Sequence, residues 1–290
     1  MDAVADFFAA YSTTIAFVGI NALLGLSVWV TLYAGQLTLG NAAFMAVGAY
    51  TAALLGRHFS VPFPLALAAG ALVGAALAAP LGLVVFRLRG VYLAIATLAF
   101  GEVVRVILLA TPMTGRGQGL NGIPPKTELW HIYLTLAVVA YVLWRVQGSV
   151  AGRAWAAIRE DEVAAVSQGI RVRRYKLAAF VVGALVAAWA GGLSAHVTFS
   201  IDPNDFAFTK AVQILVFAVV GGTPNVLGPI FGAALFTALP EVLRPFKDYR
   251  DIFQGAILLA VIIYLPRGLV TLAELRKTRR LEQVGAADVA

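Results

Sequence analysis

Val61-Pro-Phe-Pro-Leu-Ala-Leu-Ala-Ala-Gly-Ala-Leu-Val-Gly-Ala-Ala-Leu-Ala-Ala-Pro-Leu-Gly-Leu-Val-Val-Phe86 contains no Asp, Glu, Lys or Arg. A helix crossing the roughly 30 Å hydrocarbon core of a bilayer takes about 20 apolar residues, so this stretch reads as one membrane span. Its bulky aliphatics are interleaved with Ala and Gly, as in Ala66–Ala76. Small residues let helix backbones approach closely in lipid, where packing replaces the hydrophobic effect between helices. Charge is equally absent between Asp6 and Arg57 and between Lys210 and Glu241. Long apolar runs of this kind argue against a β-barrel, whose strands show alternating segments of about 10 residues.

The composition agrees. Of 290 residues, 60% are apolar and 13% are charged, with a mean hydropathy of +0.85. A soluble domain carries about 25% charged residues, so soluble enzymes, nucleic-acid binders and secreted disulfide scaffolds are excluded. With no cysteine there is no disulfide, thiolate nucleophile or Cys-based metal site. His58, His131 and His196 are too scattered to form a local metal motif. No catalytic residue and no metal ligand set is expected.

The expected spans are 12–33, 42–56, 62–86, 91–110, 130–147 and 177–199, then a broken region 210–239 and a last span 251–266. The Asp6–Arg57 stretch holds two helices interrupted around Tyr33-Ala-Gly-Gln-Leu-Thr-Leu-Gly-Asn41. The 210–239 region is short for two full spans and is interrupted at Gly221-Gly-Thr-Pro-Asn-Val-Leu-Gly-Pro229. Non-helical backbone at membrane depth is tolerated only where protein or water surrounds it. The fold class is therefore an all-α membrane protein: a polytopic bundle of about 8 spans with broken or re-entrant segments. Residues 1–290 form a single transmembrane domain. Paired Gly/Pro-interrupted segments point to a transport site between repeats; glycines that merely permit tight packing are the alternative.

Lys and Arg set the orientation. Arg153, Arg159, Arg171, Arg173, Arg174 and Lys176 fall in the 148–176 loop, and Arg267, Arg276, Lys277, Arg279 and Arg280 in the tail 267–290. Arg87, Arg89 and Arg145 share that side by alternation of spans. The positive-inside rule places this side in the cytoplasm, so the N-terminus is expected outside and the C-terminus inside. The net charge of +7 thus fixes topology and implies no nucleic acid. The start lacks the basic n-region of a cleavable signal peptide, and the first helix is expected to be retained.

The loop Val150-Ala-Gly-Arg-Ala-Trp-Ala-Ala-Ile-Arg-Glu-Asp-Glu-Val-Ala-Ala-Val-Ser-Gln-Gly-Ile170 is too charged to span. Ala154, Trp155 and Ile158 recur at helical spacing. Glu160, Asp161 and Glu162 suit the positive end of a second short helix, and Gly169 before Ile170 suits a glycine C-cap. Two short helices bury little by themselves, which implies a partner surface; lying on lipid is the alternative, opposed by the acidic triple.

Gly152-Arg-Ala-x-x-Ala-Ile-Arg-Glu-Asp-Glu-x-Ala-Ala-x-x-x-Gly-Ile170 resembles the cytoplasmic coupling loop of LivM-type permeases of branched-chain amino acid ABC transporters. Tyr33–Tyr50, Arg87–Glu102, Val219–Ala234 and Leu265-Pro-Arg-Gly-Leu269 are similar to further motifs of that family, in the same order along the chain. Thr38 stands where the family often has Ser. The resemblance implies an inner-membrane permease subunit paired with a homologous second permease. Two cytoplasmic ATPases carrying ATP and Mg, and an extracytoplasmic substrate-binding protein, would complete the assembly. It also implies an ATPase-coupling role for Gly152, Arg153, Ile158, Arg159, Glu160, Asp161, Glu162 and Gly169, with Trp155 packing the loop against its own bundle or the partner. The chain has no Gly-x-x-x-x-Gly-Lys-Ser/Thr loop, so no cofactor is expected on it.

Glu102 and Arg105 are opposite charges within one expected span, on one helix face. Intramembrane ionisable residues mark functional sites by default; a neutralising pair that orients helices is the other reading. Gln36, Thr38, Asn41, Thr97, Gln213, Thr223 and Asn225 cluster in the broken or glycine-rich segments, either along a solute path or as caps for freed backbone groups. Tyr50 is an aromatic candidate for the same path, with core packing as its alternative. The expected function is an ATP-driven importer of branched-chain amino acids or a related small polar solute. The alternatives are an ion-coupled secondary transporter with Glu102 as proton carrier, and a membrane scaffold.

Overall fold

The computed structural model describes residues 2–242 together with Gly255, Leu259 and Ile263. The expected last span 251–266, the Leu265–Leu269 motif and the basic tail lie outside the described residues. The described chain is a helical bundle of α1 (Asp2–Tyr33), α2 (Asn41–His58), α3 (Phe63–Val85), α4 (Val91–Ala110) and α5 (Leu129–Gln147), then α6 (Val150–Glu160), α7 (Glu162–Ser167), α8 (Val172–Thr198), α9 (Phe208–Gly221) and α10 (Leu227–Val242). Tyr11–Tyr33 of α1, together with α3, α4, α5 and α8, is long and apolar enough to cross a membrane. Helices α9 and α10 are apolar but shorter; 14 residues of α9 rise about 21 Å.

The helices alternate in direction. Tyr33, Leu83, Gln147, Val172 and the 222–226 turn lie near the α6–α7 arm, whereas His58, Ala110, Leu129, Thr198 and Phe208 lie near the opposite, far end. The far end carries a feature with no counterpart in the sequence expectation: a two-residue antiparallel pairing, Leu120 with Ile201 and Asn121 with Ser200. Arg57 donates to Asn121 O at 2.6 Å, and the Tyr50 hydroxyl to Ile201 O at 3.3 Å. His131 and His196 both lie edge-on to the Phe63 ring, as packing partners. Among the described residues there is no group of three His, Cys, Asp or Glu placed to hold a metal ion.

Helix α8 is the hub, packed against α1, α2 and α3. Its small residues make this possible. A Cβ on Gly191 would run into the backbone of Met45, and one on Gly48 of α2 into the backbone of Ala188. In the most apolar windows of α1 and α8, 78% and 67% of residues are buried; in α4 and α5 the figures are 22% and 17%. Yet α4 is as apolar as α1, with a mean hydropathy of 2.1 against 2.0, and α5 is still apolar at 1.5. Helix α5 buries Ile132, Leu136 and Leu143 and exposes Trp130, Leu134, Val138, Tyr141 and Trp144. Apolar faces turned outward on this scale suit lipid or a partner helix within the membrane, since exposed apolar patches on soluble monomers stay far smaller.

Candidate functional site: the arm and the two helix breaks

Residues 150–170 form two helices: α6 ends where Asp161 takes an extended conformation, and α7 begins at Glu162. The Asp161 carboxylate accepts from the backbone N–H groups of Val163 at 2.8 Å and Ala164 at 3.1 Å, an N-cap of the usual kind. Gly169, at φ +80°, ends α7: Ile170 N–H bonds to Ala165 O at 3.1 Å. Ile170 then packs on a small core of Ile158, Ala165 and Val172.

That core and Trp155 fix the arm to the bundle. Trp155 is buried and donates its indole N–H to Tyr175 O of α8 at 2.9 Å. Glu162 pairs with Lys176 of α8 at 2.7 Å. Gly152 lies so close to the end of α5 that a Cβ would meet the carbonyls of Val146 and Gln147. Ile158 is 4% exposed and therefore shapes the arm from beneath. The outward face is Glu160, Asp161, Val163 and Val166; the two valines are 70% and 59% exposed. Val163 and Val166 were not singled out in the sequence.

The first break, residues 34–40, touches the arm. Gly35 has φ +74°, and a Cβ there would stand 3.1 Å from Arg159 Cα. The Arg159 guanidinium lies 5.3 Å from the centroid of the Tyr33 ring, and Tyr33 stacks on Trp29. The chain turns back into the bundle through side-chain bonds. Asn41 donates to Ser27 Oγ at 2.9 Å and accepts from Thr38 at 3.3 Å, while Thr38 meets Thr31 at 3.2 Å. Thr97 of α4 accepts from Leu39 N–H at 3.0 Å, so it caps a freed backbone group. Gln36 is 1% exposed and neither Nε2 nor Oε1 hydrogen-bonds within the described structure.

The second break, 222–226, lies at the same end. Trp29 donates its indole N–H to Thr223 O at 2.9 Å, and Gln147 donates to Pro224 O at 2.7 Å. Asn225 turns the chain, its Oδ1 accepting from Leu227 N–H at 3.2 Å. The sequence candidates thus fall into three groups: Gln36, Thr38, Asn41 and Thr97 at the first break; Thr223 and Asn225 at the second; Tyr50, Glu102 and Gln213 toward the far end.

At the far end Glu102 pairs with Arg105 at 2.8 Å, and Arg105 also donates to Asn204 at 2.8 Å, tying α4 to the 203–206 turn. Lys210 escaped the sequence reading. Its ammonium donates to Asn21 and Gln213 at 3.4 Å, and Asn21 in turn donates to Thr237 at 3.0 Å, joining α1, α9 and α10. No local spacing announces partners this remote in sequence.

A membrane bundle with two interrupted helix pairs and a short two-helix arm resting on one of them has the form of a transport permease. Residues 10–262 match the family model described as branched-chain amino acid transport system / permease component, and the chain belongs to that family. It is 35% identical, over 87% of its length, to the high-affinity branched-chain amino acid transport system permease protein LivM of Escherichia coli K12. It is 30% identical over 52% of its length to the corresponding LivH protein, covering 49% of that protein. It is 30% identical over 72% of its length to the autoinducer 2 import system permease protein LsrC of an Enterobacter species, covering 64% of it. The chain spans 66% of the length of the LivM relative. No solved structure matches.

Proposed function

We propose that this chain is the permease subunit of an ATP-driven importer, moving branched-chain amino acids or a related small polar solute inward by alternating access. The observation that carries this reading is that α6 rests on the first break, while α5, leading into α6, is tied to the second. Arg159 lies against Gly35 and Tyr33, Tyr33 stacks on Trp29, Trp29 holds Thr223, and Gln147 holds Pro224. A displacement of the arm therefore acts on both interruptions at once.

In this reading the arm is cytoplasmic and takes one of two ATPase subunits on Glu160, Asp161, Val163 and Val166. Arg159, Trp155, Ile158 and Glu162 transmit the motion. The N-terminus lies outside and the C-terminus inside. The bundle has about eight spans, with α9 and α10 counted as a hairpin entering from the far side. A homologous second permease completes the path, an external binding protein delivers solute, and ATP and Mg stay on the ATPases. Gln36, Thr38, Asn41 and Thr97, with Thr223 and Asn225, hold the gate; Tyr50, Glu102 and Gln213 line the approach.

The test is uptake by the reconstituted importer. Glu160→Lys is expected to lower ATP-dependent uptake at least tenfold and to weaken ATPase association. Unchanged uptake and association in this variant would overturn the docking assignment. Glu102→Gln is expected to leave ATP dependence intact; uptake that is abolished by it and indifferent to ATP depletion would establish the ion-coupled alternative instead.

A further inference from the structure

Beside the arm, and separate from its outward face, runs a groove of about 670 Å³ bounded by α6, the end of α7 and the start of α8. Arg153, Arg171 and Arg174 line it. All three are exposed, and among the described residues none has a carboxylate within ion-pair distance; Arg153 donates only to its neighbour Gly148 O, at 3.2 Å. Apart from Gln168, the remaining wall is mostly apolar, with Ala154, Ala157, Ile170, Tyr175 and Ala178. No residue from 158 to 167 contributes.

Depth decides what such a groove accepts. Ala178 lies six residues into the spanning helix α8, about 9 Å along its axis, and it is exposed. The groove therefore runs from the headgroup level, where the arginines stand, down into the apolar slab. Tyr141 and Trp144, 61% and 58% exposed on the last turns of α5, mark the same level, since such rings settle at the membrane interface. With the arginines at headgroup level, Ala178 lies below the surface that a water-soluble subunit reaches. A molecule with an anionic phosphate and a hydrocarbon tail matches both halves: guanidinium groups bind phosphate bidentately, and basic pockets between helices suit anionic headgroups.

We infer that Arg153, Arg171 and Arg174 hold the headgroup phosphate of an anionic phospholipid whose acyl chain lies along Ala154, Tyr175 and Ala178. The lipid is wedged between α6 and α8 and belongs to the seating of the arm. The assignment does not use the outward face of Glu160, Asp161, Val163 and Val166, but it gives Arg153, an ATPase contact in the family resemblance, to lipid.

The test is native mass spectrometry of the full chain released from detergent with phosphatidylglycerol or phosphatidylcholine of identical acyl chains. The wild type is expected to retain phosphatidylglycerol at least tenfold better. Combined Arg153→Gln, Arg171→Gln and Arg174→Gln should bring the two lipids within twofold. Arg87→Gln, Arg89→Gln and Arg145→Gln, which remove the same charge from the same end, should not. Ala178→Trp fills the lower groove with every arginine in place and should reduce retention at least fivefold. Equal loss in both triple variants would mean delocalised attraction and overturn the site. Full retention in Ala178→Trp, or full displacement by equimolar glycerol phosphate, would mean a free-phosphate site and overturn the lipid. A groove triple variant that keeps its lipid but no longer binds the ATPase would assign the groove to a protein partner.

Discussion

The helices are interrupted twice at the arm end of the bundle, and the two interruptions are built in opposite ways. Residues 34–40 fold back among buried polar side chains, Ser27, Thr31, Thr38, Asn41 and Thr97, which bond to one another and to the turned backbone. Residues 222–226 make one local turn at Asn225 and take two further bonds from outside the hairpin, from Trp29 and Gln147. Depth accounts for the difference. Freed backbone groups away from water must find partners in the protein, so the deeper break carries its own. The shallower one, where Thr223 and Asn225 are half-buried while Gln36 and Thr38 of the first break are buried, is gripped by side chains that reach it. The second break is thus the one whose release costs less, and Trp29 and Tyr33 link it to the first.

The comparison breaks most sharply at Gly35. Gly35→Val imposes a β-branched residue on a positive φ, a strain of about 1–3 kcal/mol, and drives its Cβ toward Arg159 Cα, 3.1 Å away. We expect a total cost of about 3 kcal/mol and a melting temperature lowered by roughly 5–10 °C in detergent. An unchanged melting temperature would mean that the arm does not rest on the first break.

Next in size is Asn41→Leu. It strips Ser27 of a buried donor and Thr38 of an acceptor, at about 2 kcal/mol for polar groups left unpaired. Asn225→Leu at the half-exposed second break should cost less than half as much. Equal melting shifts would refute the role given to depth.

Trp29→Phe keeps a ring against Tyr33 but loses the bond to Thr223 O, at about 1 kcal/mol. Because the chain has no cysteine, a single Asn225→Cys reports opening by maleimide labelling. Labelling there should quicken severalfold on adding Trp29→Phe, while a Thr38→Cys reporter should not respond. A response at both positions would make the two breaks one cooperative unit.

Much of the helical layout was legible because charge is so scarce. The expected 91–110 coincides with α4, and the expected 42–56 and 130–147 differ from α2 and α5 by one or two residues at an end. The Gly169 cap and the start of α7 at Glu162 followed from local chemistry. What the sequence withholds is which apolar helices are central. Lipid and protein core are equally apolar, so the peripheral α4 and the central α8 look alike in hydropathy; the small residues of α8, such as Gly191, mark the hub. Pairings remote along the chain, Trp29 with Thr223 or Lys210 with Asn21, have no local signature. Ile158 shows a further limit: helical spacing put it on a stripe, but which surface the stripe meets depended on α8.

The smallest stability effect is expected at Gln36, and it separates structure from transport. Its amide is buried within the first break without a hydrogen bond in the described structure, whereas its neighbours Thr38 and Asn41 are bonded. An unpaired buried amide costs about 1–3 kcal/mol, and an apolar replacement of similar shape removes that cost. Gln36→Leu should therefore leave the melting temperature unchanged or raise it by a few degrees, unlike Asn41→Leu. If the amide serves the gate, ATP-dependent uptake should fall at least fivefold in the same variant. A stabilised chain with full uptake would confine the first break to architecture and leave the gate to the second.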